Sequence, residues 1–163
     1  MIQAQFNKKP GRRQFLQMVS LAGIAIFSPS NICVMFEPKG VFIEKSRFTA
    51  EATVVRLCSV LKSRGAKVYA VIDQQKELST VDIAIPPMHL ILFGNPKVGG
   101  KVLSEVAVSG IDLPLKILVW EDTAHNISIA YNTAAYLQER FNLKPEVAKL
   151  FDLSSVIQSA LND

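Results

Sequence analysis

The segment Gly94-Asn95-Pro96-Lys97-Val98-Gly99-Gly100 carries the densest set of residues suited to holding a ligand. Glycines let a backbone approach a bound group closely. Lys97 offers a mobile charge with three donors, and Pro96 stiffens the segment, so less ordering entropy is lost on binding. A turn of this kind after an apolar strand can aim backbone N–H groups at an anion. The spacing is not that of a P-loop, and the plainer alternative is a structural turn with Lys97 in water. Asn95, Lys97, Gly99 and Gly100 are therefore the candidate residues for a small polar or anionic ligand, with Asp112, Lys116 and Tyr131 expected nearby. The stretch Asp112-Leu113-Pro114-Leu115-Lys116 is polar at its ends and apolar between. It suits either a wall of the same pocket or a dimer contact.

The remaining chemistry-bearing residues point to less. His89 and His125 are the two histidines, and neither has a second ligand at metal spacing. Both read as structural or solvated. Glu121 and Asp122 are adjacent, so on a strand they face opposite sides and cannot share one surface as acid and base. A Ser-His-Asp arrangement is possible from composition, but there is no nucleophile elbow. Cys33 and Cys58 form no C-x-x-C, and Cys58 reads as a small buried hydrophobe. No catalytic or metal-ligating residue is assigned, and the cofactor is left open.

Several elements must position these residues. Val41–Phe48 has strand-like spacing. Thr49 can cap a helix in which Val54, Leu57, Cys58 and Leu61 recur at helical period, closed by Gly65. Lys67–Ile72 predicts a second strand, with Val68, Ala70 and Ile72 on one side, and Gln74–Val81 a short helix. Met88–Phe93 is nearly all apolar, which predicts a strand buried on both faces or at a dimer seam. The 94–100 segment reads as a turn and Lys101–Val108 as a short helix. Leu115–Glu121 and Ile127–Tyr131 form a hairpin around Asp122–Asn126. Asn132 or Thr133 caps a helix reaching Phe141. Pro145 suits the first turn of another, and Asp152 or Ser154 caps the last. The order is α+β.

The motifs Leu90 to Gly100, Gly110 to Asp122, Tyr131-Asn132 and Tyr136-Leu137 together resemble the domain of unknown function 302 family. The resemblance runs from about Phe48 to Leu143, with its core over 67–137. It implies a TATA-box-binding-protein-like β-α-β4-α arrangement: a curved antiparallel sheet, helices on one face, commonly a dimer. It implies no reaction. Gln74, Gly100 and Phe141 stand where the family often has His, Thr and His. The two missing histidines weigh against carrying over a metal or haem role.

The chain has 163 residues and a formal net charge of +4. Residues 1–30 hold Lys8, Lys9, Arg12 and Arg13 and no acid; taking these four from 18 bases leaves 14 against 14 acids. A phosphate-binding domain would show a basic stripe, so nucleic acid is not expected as a partner. Residues 1–30 instead run charged, apolar, then small, the order of an export signal. Arg12-Arg13-Gln14-Phe15-Leu16 is similar to the twin-arginine motif, with Arg12, Arg13, Phe15 and Leu16 as its core, and Ser30 is a suitable cleavage point. The apolar run Met18–Phe27 is short of the roughly 20 residues a membrane span needs. Alternatives are an uncleaved inner-membrane anchor and lipidation at Cys33. Residues 31–40 read as a linker and 41–163 as one domain. The resulting expectation is a periplasmic ligand- or partner-binding module, exported by the twin-arginine machinery and homodimeric. The alternatives are a small enzyme with its site at Asn95–Gly100, or a structural or sensor component of an envelope complex.

Overall fold

Thr49 ends the first strand and starts the first helix: its Oγ1 accepts the Ala52 N–H at 3.2 Å. The computed structural model describes residues 38–162. The export motif Arg12, Arg13, Phe15 and Leu16, the apolar run behind it, Cys33 and most of the expected linker lie outside those residues. Strand β1 spans Val41–Ser46 and helix α1 Ala50–Ser63. Leu57 and Leu61, spaced one turn apart, are fully buried. Gly65 (φ +78°) ends α1. Its N–H bonds the Lys62 carbonyl and the Ala66 N–H bonds that of Leu61, the paired closure a left-handed residue permits. Strand β2 (Lys67–Asp73) runs straight into helix α2 (Gln74–Ser79), because the Asp73 carboxylate accepts the Lys76 N–H at 2.9 Å.

Strand β3 (Met88–Gly94) leads to helix α3 (Pro96–Glu105) and a 3-10 turn at Ala107–Ile111. Strands β4 (Leu115–Glu121) and β5 (Ile127–Asn132) form the hairpin. Helix α4 (Ala134–Phe141), capped by Thr133, a short helix α5 (Pro145–Ala148), a 3-10 turn at Lys149–Phe151 and helix α6 (Ser154–Leu161) complete the domain. Five antiparallel strands lie in the order β1-β5-β4-β3-β2, and the sheet is open, with β1 and β2 at its edges. The helices pack on one face, and the expected α+β order is the observed one. Ile91, Ile117, Val119 and Ile129 are completely buried on the face that the helices cover. Each such side chain contributes about 1.5–3 kcal/mol by leaving water.

The structure corrects four expectations. The 94–100 segment is not a turn: Asn95 caps α3, Pro96 takes its first position, and Gly99 and Gly100 are helical. Pro96 suits that position because its missing N–H would be unpaired there anyway. The helix therefore begins about five residues earlier than Lys101. Strand β3 is fully buried on one face only; Met88, Leu90 and Leu92 on the other face are half-buried. Val68, Ala70 and Ile72 do not share a side of β2. A bulge between Val68 and Ala70 shifts the register, so Val68 opposes Phe93 while Ala70 opposes Leu92. Finally, residues 38–40 belong to the domain: Val41 N–H bonds the Pro38 carbonyl and Thr133 N–H that of Gly40, and Lys39 pairs with Glu139 at 2.9 Å.

Candidate functional site

At the end of the sheet where β3 passes into α3, the helix layer leaves a groove of about 760 Å³. This lies within the roughly 300–1,000 Å³ usual for small-molecule sites. Five separate stretches build it. Leu61 and Arg64 come from the end of α1, Tyr69 from the β2 bulge, Phe93 to Gly100 from the β3–α3 junction, and Leu113 to Leu115 from the approach to β4. The segment Leu150 to Val156 closes the far side. The bulge brings Tyr69 over the site: a Cβ on Gly94 would sit 3.6 Å from the Tyr69 ring. The walls are mainly apolar, and Arg64, Asn95 and Asp152 supply most of the polar side chains.

Those polar groups are already committed within the chain. Arg64 bonds the Ser155 hydroxyl (2.5 Å), the Ser155 carbonyl (2.9 Å) and the Ser159 hydroxyl (2.7 Å), tying the end of α1 to α6. Asp152 Oδ1 accepts from the Ser154 hydroxyl and N–H, which lower its carboxyl pKa; the cap position of α6 is Leu153, not Asp152 or Ser154 as expected. At the start of α3 the Lys97 N–H bonds Asn95 Oδ1, while those of Val98 and Gly99 bond the Asn95 carbonyl. Three amides expected to face an anion are thus spent on the cap.

Of the seven candidate residues, Asn95, Gly99 and Gly100 line the groove. Lys97 is exposed and does not line it. Asp112 is half-buried, with Oδ2 3.3 Å from Arg140 Nε; that contact is an ion pair without the alignment of a hydrogen bond. Lys116 gives its ammonium to the backbone carbonyls of Asp112 (3.2 Å), Pro114 (3.3 Å) and Ile111 (3.5 Å). Tyr131 is buried beneath the helices, 5.4 Å from the Phe42 ring centroid. Burial pushes its phenol pKa up, partly offset by the Ser154 hydroxyl. The structure therefore does not gather Asp112, Lys116 and Tyr131 around the groove. The sequence reading also missed Leu61, Tyr69, Phe93 and Leu153; nothing in their local pattern distinguishes a groove wall from a core.

The histidines stand elsewhere. His125, in the β4–β5 loop, places Nδ1 against the Glu121 carboxylate. In the same loop Asp122 accepts from the Asn126 side chain and from the Asn126 and Ala124 N–H groups, which lowers its pKa. His89 is half-buried on β3, and its buried Nε2 has no hydrogen-bond partner. Among the described residues no three His, Cys, Asp or Glu side chains come together as a metal site.

An open antiparallel sheet, helices on one face and an apolar groove at one end define a small α+β domain with a built-in cavity. The chain belongs to the DUF302 family: the model of this domain of unknown function matches residues 42–160. The crystal structure of an uncharacterized conserved DUF302 protein from Bacillus stearothermophilus is similar to it, with a TM-score of 0.64 and 20% identity, covering 77% of this chain and 98% of that one. That likeness shows the fold. The chain is also 31% identical over 104 residues to the fluoride-specific ion channel FluC 1 of Brucella suis, and equally to FluC 2 of Brucella melitensis. The alignments cover 64% of this chain but 41% and 38% of those proteins, so the chain spans about two fifths of their length.

Proposed function

We propose that this chain is a binding module of the cell envelope whose groove takes a ligand with an apolar body. One observation carries the reading: a cavity of about 760 Å³, walled mainly by apolar side chains, at the β3–α3 junction. Apolar walls gain from an apolar occupant, and the spent amides of α3 give little to an anion. Native mass spectrometry of the purified full chain should show a small apolar or amphipathic molecule that leaves on denaturation. A chain that carries none, and that takes up no fluorescent fatty acid, sinks the reading.

Envelope location rests on Arg12-Arg13-Gln14-Phe15-Leu16 ahead of an apolar run. Changing Arg12 and Arg13 together to Lys should hold the protein in the cytoplasm, and unchanged periplasmic recovery would refute the assignment. Kinship with channel proteins fits a membrane setting but does not bring ion conduction. Most of the 104 aligned residues must lie within 38–162, where no helix is long and apolar enough to cross a membrane.

The uncovered sheet face supports a second part of the proposal, self-association. Leu90, Leu92 and Leu118 lie half-buried at its centre, with Ile43 (47% exposed) and Ile72 (37%) toward the edges. A second copy would remove this apolar surface from water. Sedimentation at micromolar concentration should give a dimer, and replacing Leu90 and Leu118 by Ser should give a monomer. A parent that sediments as a monomer removes this part.

A further inference from the structure

The groove does not end at its walls. Leu103 and Leu150 line it and are also 40% and 56% exposed, so they form a lip rather than a lining. Leu103 leads directly to the 3-10 turn: its Cδ2 is 3.3 Å from where a Gly110 Cβ would lie. On that turn stand Val108 and Ile111, 69% and 66% exposed. A 3-10 helix repeats every three residues, so positions i and i+3 eclipse. Val108 and Ile111 therefore stack on one side of the turn as a small apolar prow. An isolated exposed apolar residue is ordinary, but two at the groove edge and two more on the adjoining turn mark an interaction surface.

The charges around the lip select a partner. Lys97 and Lys101 lie one turn apart on the exposed side of α3, and Lys149 precedes Leu150; all three are exposed. The nearby acids are Glu105 on α3, Asp112 beside Ile111, half-buried and paired with Arg140, and Asp152, whose carboxylate is engaged by Ser154. Exposed apolar tips beside lysines match the boundary of an anionic bilayer, where the tips enter acyl chains and the lysines meet headgroups.

Resting on the groove reading above, we propose that Leu103, Val108, Ile111 and Leu150 dock this domain on an anionic membrane, and that the groove's occupant is an acyl chain of a lipid drawn from it. The groove opens at the lip, so a chain can pass from bilayer to cavity without crossing water. The apolar walls take the chain. Lys97 and Lys101 stay outside with the headgroup, which explains why a lysine beside the cavity does not line it.

The test uses the full chain carrying Val108→Trp, with the parent as reference; the parent's single tryptophan, Trp120, sits on β4. Both are mixed with vesicles of equimolar phosphatidylethanolamine and phosphatidylglycerol whose acyl chains are brominated. A side chain held at the depth of an interfacial element, roughly 5–10 Å, lies within reach of such a quencher. The added indole should shift to the blue and lose on the order of half its emission, and the effect should fade in phosphatidylcholine vesicles. The difference between variant and parent reads the lip alone, even if the chain also binds through residues 1–30. No added quenching overturns the docking while leaving the groove reading to the soluble fatty-acid probe. Quenching at the lip with no uptake of that probe overturns the acyl occupant and the groove reading together. A change in oligomeric state on Val108→Ser and Ile111→Ser without vesicles would show the lip to be a contact between copies, which also overturns the proposal.

Discussion

Gly40→Ala is expected to destabilise the domain by about 3 kcal/mol, or roughly 10 °C in Tm. Two effects add. Gly40 sits at φ +78°, where a Cβ costs about 1–2 kcal/mol. That Cβ would also lie 2.3 Å from Tyr136 Cδ2 and Cγ, so the ring must move. The ring is not free to move cheaply. Its hydroxyl accepts from Arg140 Nη1 at 2.5 Å, and Arg140 in turn pairs with Asp112. Gly40 also accepts the Thr133 N–H at 2.8 Å, so the disturbance falls where β1 meets the start of α4. Gly65 supplies the control. It has the same φ of +78°, but nothing lies within 4 Å of its missing Cβ. Gly65→Ala should therefore cost only the backbone strain, about 1 kcal/mol. Chemical denaturation of both variants measures the difference. Equal losses would show that the Tyr136 contact contributes nothing, as would a Gly40→Ala cost that Tyr136→Ala fails to relieve.

Much of this fold was legible because its signals are local. Thr49, the Val54–Leu61 period and Gly65 each act within one or two turns, and α1 lies where they place it. The 122–126 hairpin loop and the Thr133 cap are legible for the same reason. The start of α3 was misread although its signal was present. Asn followed by Pro is a cap and first-position pair, but Gly99 and Gly100 cost about 1 kcal/mol each in a helix, and that weighed toward a turn. Tertiary contact decides the matter: Val102, one turn on, is 2% exposed, and burying it helps hold the helix. The β2 bulge was invisible, since Val68-Tyr69-Ala70-Val71-Ile72 alternates well enough as a plain strand and the extra residue is set by what β3 offers it. The groove was the least legible feature. Its walls come from residues as distant as Leu61 and Val156, and each wall alone has the pattern of ordinary core. Asn95, Gly99 and Gly100, read from the sequence as ligand contacts, line the groove. The bonds that take up the Lys97, Val98 and Gly99 amides are not legible in the sequence, because they appear only once the helix is formed.

Gly99→Leu should separate a ligand groove from a mere helix end more sharply than any change at Lys97. Gly99 is half-buried and lines the groove, its φ is not positive, and no atom lies within 4 Å of its missing Cβ. Nothing in the backbone resists a side chain there. Because Gly weakens a helix interior by about 0.8–1 kcal/mol relative to Ala, Gly99→Ala should raise stability by up to that amount. Leu gains nearly as much in propensity and adds three more carbons at the groove wall. Those carbons occupy space an apolar ligand would fill, and each methylene excluded from burial forfeits about 0.8 kcal/mol. Affinity for a fluorescent fatty acid should then fall by about tenfold or more while Tm rises, since two lost methylenes alone approach 1.6 kcal/mol. Lys97→Ala should leave the same affinity within about twofold, because an exposed lysine outside the groove contributes little. Titration of the three variants against one probe, with Tm read in parallel, decides the case. Unchanged affinity in Gly99→Leu would place the ligand elsewhere. A loss confined to Lys97→Ala would restore the anionic site at the head of α3.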